Sequence, residues 1–262
     1  MTETLRVVES IGPPSRDLAF EESMLTDAAA GRMTLSVSSW PGPVVVLGYA
    51  QPPDDVDLGW CRGHGVPVLR RLSGGTGVIH RGDLSLALAL PREHPWAGSI
   101  IGLYDRFLDN LQPALAEVGS EVRRVAEPEH ATRVRSPVCF FDQLADTLLV
   151  GGKKAVGCSQ TRRKDGVLVH AAVLLGLDGA LYTKVFGIPA GRVVEHLAPA
   201  VQGVGWEKIA EAVVRRFSRA LAADPRRIEG PEPGAEATAR YRAGRWAPVP
   251  DDGIASPETE LV

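Results

Sequence analysis

Arg70-Arg71-Leu72-Ser73-Gly74-Gly75-Thr76-Gly77-Val78-Ile79-His80 sets two guanidiniums directly before three glycines, with apolar runs on either side. Glycine admits positive φ and lets the backbone approach a ligand closely, while arginine offers donors in a fixed fork to a carboxylate or phosphate. The stretch reads as a binding loop between two strands. Taken alone, it also fits an ordinary Gly-rich hairpin turn.

The flanking sequence predicts how that loop is held. Residues 66–71 form the entering strand, and 84–90 alternate large apolar with small residues, as a strand with one face on a core does. Upstream, 5–10 read as a strand, followed by a helix N-capped by Ser15 after Pro13-Pro14, with Leu18, Met24 and Leu25 apolar. Residues 34–40 and 44–48 are expected to form a hairpin through Pro41-Gly42-Pro43, and 54–63 a short helix. Downstream, 101–118 read as a helix that Pro113 bends or ends. Strands follow near 145–150, 154–158 and 167–175, the first two turning at Gly151-Gly152, and an amphipathic helix runs from 208 to about 222. Strands and helices mix without regular βαβ alternation, which predicts an α+β fold with a mixed or antiparallel large sheet. A catalytic domain is expected over 1–225. Residues 226–262 read as a partly disordered C-terminal extension, with Tyr241 and Trp246 as bulky aromatics in a tail rich in Pro, Gly, Glu and Ala.

Composition narrows the classes of function. With 29 Lys and Arg against 32 Asp and Glu, the net charge of −3 gives no reason to expect nucleic-acid binding. No apolar run approaches the roughly 20 residues of a membrane span. The N-terminus lacks the basic and apolar regions of a secretory signal, so a cytoplasmic protein is expected. Cys61, Cys139 and Cys158 are odd in number and show no CxxC spacing, which argues against a disulfide framework and a zinc site. Basic clusters at Arg70-Arg71, at Arg133 with Arg135, and at Arg162-Arg163-Lys164 fit either an acidic partner or solvated surface.

A second polar loop, Gly152-Lys153-Lys154-Ala155-Val156-Gly157-Cys158-Ser159-Gln160-Thr161-Arg162, leads into an apolar run that carries His170. The succession is Arg-Arg-x-Ser-Gly-Gly, then Gly82-Asp83-Leu84 opening a strand, then Gly-Lys-Lys-x-x-Gly-x-x-Gln, then a strand with a His. Over roughly residues 5–220 it resembles the lipoate-protein ligase, octanoyltransferase and biotin ligase superfamily. Leu18-Ala19-Phe20-Glu21-Glu22, Val46-Leu47-Gly48-Tyr49-Ala50-Gln51 and Asp55-Val56-Asp57 are similar to its N-terminal half. The Gly-Arg-Gly-Arg-type adenylate loop of biotin ligases is absent.

The resemblance implies a large mixed sheet, a second small sheet and flanking helices, with an acyl-chain tunnel between the two loops. It implies transfer of an octanoyl or lipoyl group to a lysine of a lipoyl domain or glycine-cleavage H protein. By the same resemblance Arg70, Arg71, Ser73, Gly74, Gly75, Thr76, Gly77, His80, Gly157, His170 and Ala172 border the substrate, and Lys154 is the lysine shared across the family. An acyl carbonyl under attack develops negative charge, which a buried ammonium stabilises. A surface lysine beside Lys153 is the bland alternative. For His170 the alternatives are a substrate contact and a histidine satisfied within the core.

Cys139 lies in Ser136-Pro137-Val138-Cys139-Phe140-Phe141-Asp142, where Ser-Pro favours a loop and an accessible thiol. Cysteine-dependent octanoyltransferases carry a Cys-Phe pair at a very similar distance before their lysine, so the chain most resembles that branch. This implies Cys139 as the residue that takes the acyl group from acyl carrier protein, with no cofactor. A buried, packing Cys139 stays open, and packing is the expected role of Cys61 and Cys158. The sequence departs from the family at Thr76, where a third glycine is usual, at Arg81, where an Asp is common, and at Ala171-Ala172, where Gly-Ser is frequent. It also lacks a Pro-Ser-x-Tyr run after Cys139. Two further readings therefore remain: the catalytic subunit of a ligase using free lipoate with ATP and Mg, and a non-catalytic acyl- or lipoyl-domain-binding homologue. The forty or so residues after 220 are too few for the further C-terminal domain of many ligases.

Overall fold

The computed structural model describes residues 3–125, 136–141 and 147–230; Arg133, Arg135, Asp142, Tyr241 and Trp246 lie outside them. The chain begins with β1 (Glu3–Ser10), α1 (Pro14–Ala29), β2 (Met33–Ser39), β3 (Val44–Leu47), α2 (Leu58–Gly63), β4 (Val68–Arg70), β5 (Val78–His80) and β6 (Leu84–Pro91). It continues through α3 (Ile100–Ala116), β7 (Arg123–Arg124), β8 (Thr147–Val150), β9 (Lys153–Arg162) and β10 (Gly166–Val173). The last elements are α4 (Gly179–Phe186), α5 (Ala190–His196), α6 (Trp206–Ala220) and β11 (Ala223–Arg227). An eight-stranded sheet has the order β11-β1-β2-β6-β10-β9-β8-β7, and a three-stranded sheet the order β4-β3-β5. In the large sheet β1 runs parallel to β2 and β11 while the other pairs are antiparallel, so the sheet is mixed.

The large-small alternation of β6 explains the layering. Leu84, Leu86, Leu88 and Leu90 face a core shared with Phe107, Leu111, Val213 and Phe217 of α3 and α6. Ala87 and Ala89 face the other way, where Phe20, Met24 and Leu25 of α1 press onto the sheet. Large residues fill one interface and small ones admit a helix closely at the other. A separate apolar cluster joins β3, β4 and β5 to α4, α5, Val138 and Phe140, and the cavity described below opens beside it.

Several local expectations are corrected. Pro13, not Ser15, occupies the N-cap of α1, and no side chain caps it; Ser15 is buried in the first turn. Residues 34–40 and 44–48 do not form a hairpin, because β2 joins the large sheet and β3 the small one. Pro41 and Pro43 lack the N–H groups a tight hairpin needs, and Trp40 is buried with Nε1 donating to Asp17 at 2.8 Å. The 54–63 segment splits into a 3-10 turn, Pro53–Asp55, and α2, capped by Asp57 accepting from Trp60 N at 2.8 Å. α3 passes through Pro113 and ends at Ala116. Helices α4 and α5 fill a stretch for which the sequence reading gives no element. The edge strand β11 pairs with β1 in parallel.

Candidate active site

The loop from β4 to β5 folds around its own arginines. Arg70 Nη1 donates to the carbonyls of Gly48 at 2.7 Å, Tyr49 at 3.0 Å and Gln51 at 2.7 Å. Burial brings its pKa down to about 10. Arg71 donates from Nε to Ser73 Oγ at 3.1 Å and from Nη2 to the carbonyls of Gly74 and Thr76 at 2.8 and 3.0 Å. These donors shape the loop by binding its own and neighbouring carbonyls. Arg70 is absent from the cavity lining, whereas Arg71 reaches it. Burial lowers the Arg71 pKa, an effect opposed by Cys139, Glu21 and Tyr104 nearby.

Two glycines make the site possible. A Cβ on Gly48 would stand 2.0 Å from the carbonyl oxygen of Gly75, so β3 and the loop touch backbone to backbone. Gly48→Ala is expected to cost about 3 kcal/mol, because neither backbone segment can yield cheaply; a denaturant midpoint equal to that of the unsubstituted protein contradicts this packing. A Cβ on Gly157 would stand 2.9 Å from Lys154 Cε and 3.3 Å from the Phe140 ring. The bare Gly157 leaves room for the lysine stem.

The second loop and Cys139 meet across this space. Gly77 N donates to Pro137 O at 3.0 Å, and Cys139 N donates to Gly77 O at 3.0 Å, which ties the 3-10 turn Cys139–Phe141 to the Gly loop. Lys154, 3% exposed, donates from Nζ to the Cys139 carbonyl at 3.0 Å and lies 5.3 Å from the Phe140 ring centroid. Lys153 turns outward instead, its Nζ donating to Val194 O at 2.6 Å. Strand alternation thus selects Lys154 for the interior.

Together these elements enclose a cavity of about 660 Å³. Arg71, Gly74, Gly75, Thr76, Cys139, Lys154, Gly157, His170 and Ala172 line it, all expected from sequence. Tyr49, Tyr104, Ser159, Gln160 and Thr161 also line it. Sequence reading did not assign them. Tyr104 gave no signal beyond its place in a helix, and the three β9 residues follow from extending the second loop as a strand.

His170 is satisfied within the core and also reaches the cavity surface. It lines the cavity while Nδ1 sits 2.9 Å from Glu21 Oε1 and Nε2 3.4 Å from Ser85 Oγ. Ser73, Gly77 and His80 do not line the cavity. Ser73 Oγ bonds Ser159 Oγ at 2.7 Å and so fastens the Gly loop to β9. His80 packs edge-on to Trp40 at 4.9 Å between centroids, and burial takes its pKa down to about 3. Asp83, 3.9 Å from His80 Nδ1, accepts from Leu175 N, and burial raises it to about 7. Both shifts favour a neutral pair. Cys61 is fully buried, its thiol raised to about 11 by burial, while Cys158 packs in the core and also edges the cavity. Among the described residues there is no cluster of three or more His, Cys, Asp or Glu able to hold a metal, and no helix is long and apolar enough to cross a membrane.

Comparison with known proteins follows the same outline. The family model of the lipoyl protein ligase A/B catalytic domain matches residues 13–218. The chain is 29% identical over 270 residues to the octanoyltransferase LipM of Moorella thermoacetica, covering 93% of this chain and 97% of that one. With the octanoyltransferase LipM of Symbiobacterium thermophilum it shares 30% identity over 229 residues, 80% of this chain and 83% of the other. The fold matches a structure of protein Ta0514 from T. acidophilum with bound lipoic acid at a TM-score of 0.72 and 22% identity, covering 92% of this chain and 94% of that one. A lipoate-protein ligase A bound with ATP matches at a TM-score of 0.73 and 22% identity, with the same coverage.

Proposed function

The chain belongs to the lipoyl protein ligase A/B catalytic-domain family, and on that premise we propose that it is a protein octanoyltransferase working through a thioester on Cys139. The observation that carries this reading is the junction of Cys139 with Lys154 at one wall of the cavity, with Nζ 3.0 Å from the Cys139 carbonyl. Cys139 is only partly buried there, so a thiol nucleophile and the Lys154 ammonium share one wall of the cavity.

The reaction then runs in two displacements. The Cys139 thiolate attacks the carbonyl of an octanoyl thioester carried by acyl carrier protein; the new C–S bond forms, the donor C–S bond breaks, and the donor sulfur leaves as a thiolate that takes a proton from solvent. A neutral lysine amine of a lipoyl domain, or of a glycine-cleavage H protein, attacks the Cys139 thioester. The amide forms, the amine proton passes to solvent, and the Cys139 thiolate is released. In both steps the tetrahedral oxyanion lies within the field of the Lys154 ammonium. The cavity holds the alkyl chain, with His170 in its wall held in place by Glu21.

The ATP-dependent reading needs cationic donors directed at phosphates. Arg70 and Arg71 send theirs to loop carbonyls, and Lys153 donates to Val194 O. Octanoyl transfer from octanoyl-acyl carrier protein to a lipoyl domain in the absence of ATP is the expected activity. Transfer that appears only with free lipoate, ATP and Mg, with release of pyrophosphate, contradicts the proposal and assigns ligase chemistry. Absence of either activity leaves the non-catalytic homologue.

A further inference from the structure

Four large apolar side chains are exposed among the described residues, and two of them are consecutive: Ile100 and Ile101, 55% and 67% exposed. They open α3, and Tyr104, four and three positions further on, shares their side of the helix and lines the cavity. The isoleucines therefore stand at the cavity mouth. The chain holds them there firmly. Ser99 caps α3 by accepting from Gly102 N at 2.9 Å, Gln160 on the cavity wall donates to Ile100 O at 3.0 Å, and Arg162 donates to Ser99 O at 3.3 Å and to Ala97 O.

Basic side chains outnumber acidic ones around this pair; Asp105, one turn beyond Ile101, is paired with Arg124. The first turn of a helix leaves N–H groups unpaired and favours negative side chains, yet α3 has no acidic residue in its first turn. The adjoining β9–β10 turn adds Arg162, Arg163 and the exposed Lys164 against a single Asp165. The rim is apolar at its centre, with a net basic turn beside it. Such a pairing suits a protein surface of opposite charge.

We propose that this rim docks the acceptor protein, a folded domain that presents an acidic and partly apolar surface beside its target lysine. The inference rests on the octanoyl-transfer reading and deepens it. A donor can deliver its acyl group on a long prosthetic arm from a body some distance away. A lysine has only a four-carbon stem, so its domain must press against the cavity mouth for the amine to reach Cys139.

The test separates acceptor binding from chemistry. Titration of an unmodified lipoyl domain into the Ile100→Ser/Ile101→Ser double variant is expected to give a Kd at least ten-fold weaker than with the unsubstituted protein. Lys164→Glu, on an exposed turn and independent of α3 folding, is expected to weaken binding several-fold, with a shallower dependence on salt. Acyl uptake on Cys139 from the octanoyl donor is expected to stay within two-fold in both variants. A Kd within two-fold of the unsubstituted value in both variants overturns the proposal. So does a fall in uptake with acceptor affinity unchanged, which would give the rim to the donor. Loss of acyl uptake in the unsubstituted protein would instead count against the octanoyltransferase reading, and the titration would still decide the docking surface.

Discussion

Cys139→Ser is expected to lower octanoyl transfer about 10³-fold or more while leaving the fold in place. Serine preserves the size of the side chain and the backbone bond from residue 139 N to Gly77 O, so the 3-10 turn and its tie to the Gly loop persist. What changes is the nucleophile. A hydroxyl is a far weaker nucleophile than a thiol, and an ammonium cannot serve it as a general base. The loss should fall on kcat, because the cavity that holds the alkyl chain is unaltered. A thermal midpoint within a few degrees of the unsubstituted protein, with activity lost, is the expected pair of results. Retained activity would place the thioester elsewhere, and Cys158, at the cavity edge, would be next to test.

Lys154→Met is expected to reduce the rate of acyl uptake about 10²- to 10³-fold, the range set by removal of a preorganised oxyanion donor. Methionine keeps most of the stem that passes Gly157 and the Phe140 ring, so packing is largely conserved. The ammonium and its bond to the Cys139 carbonyl are lost together. Lys154→Arg is expected to fail as well. The position a Gly157 Cβ would occupy is 2.9 Å from Lys154 Cε, a channel suited to a slim stem and too narrow for a planar guanidinium. Rapid-quench measurement of uptake on Cys139 checks both variants; an arginine variant with full activity would show that charge alone suffices.

These expectations were readable in the sequence to different degrees. The alternation of β6 and the amphipathic pattern of α6 are local, and both elements form where the pattern puts them. Sheet membership is not local. Residues 34–48 look like a hairpin, and what divides them is the burial of Trp40 against Asp17, a contact across 23 positions. The polar strand β11 shows no alternation because it is an edge whose partner is β1, more than two hundred residues earlier. At the site, the order of motifs brings Cys139, Lys154, His170 and the Gly loop around one cavity, as the family resemblance implies. The hydrogen bonds of the two arginines are not legible in the sequence. Their acceptors are carbonyls of residues 46–51 and of the loop itself, and backbone oxygens leave no mark in a sequence. Ile100, Ile101 and Tyr104 read as ordinary helix residues, and their place at the cavity mouth follows from how Gln160 and Arg162 hold the start of α3.

The central claim is a covalent octanoyl-enzyme on Cys139. Intact-mass analysis of the protein after incubation with octanoyl-acyl carrier protein, followed by peptide mapping, tests it most directly. The account predicts one octanoyl adduct, on the peptide that holds Cys139, which disappears when a lipoyl domain is added and never forms in Cys139→Ser. An unmodified mass under conditions where the lipoyl domain is octanoylated, or an adduct on another residue, would contradict it.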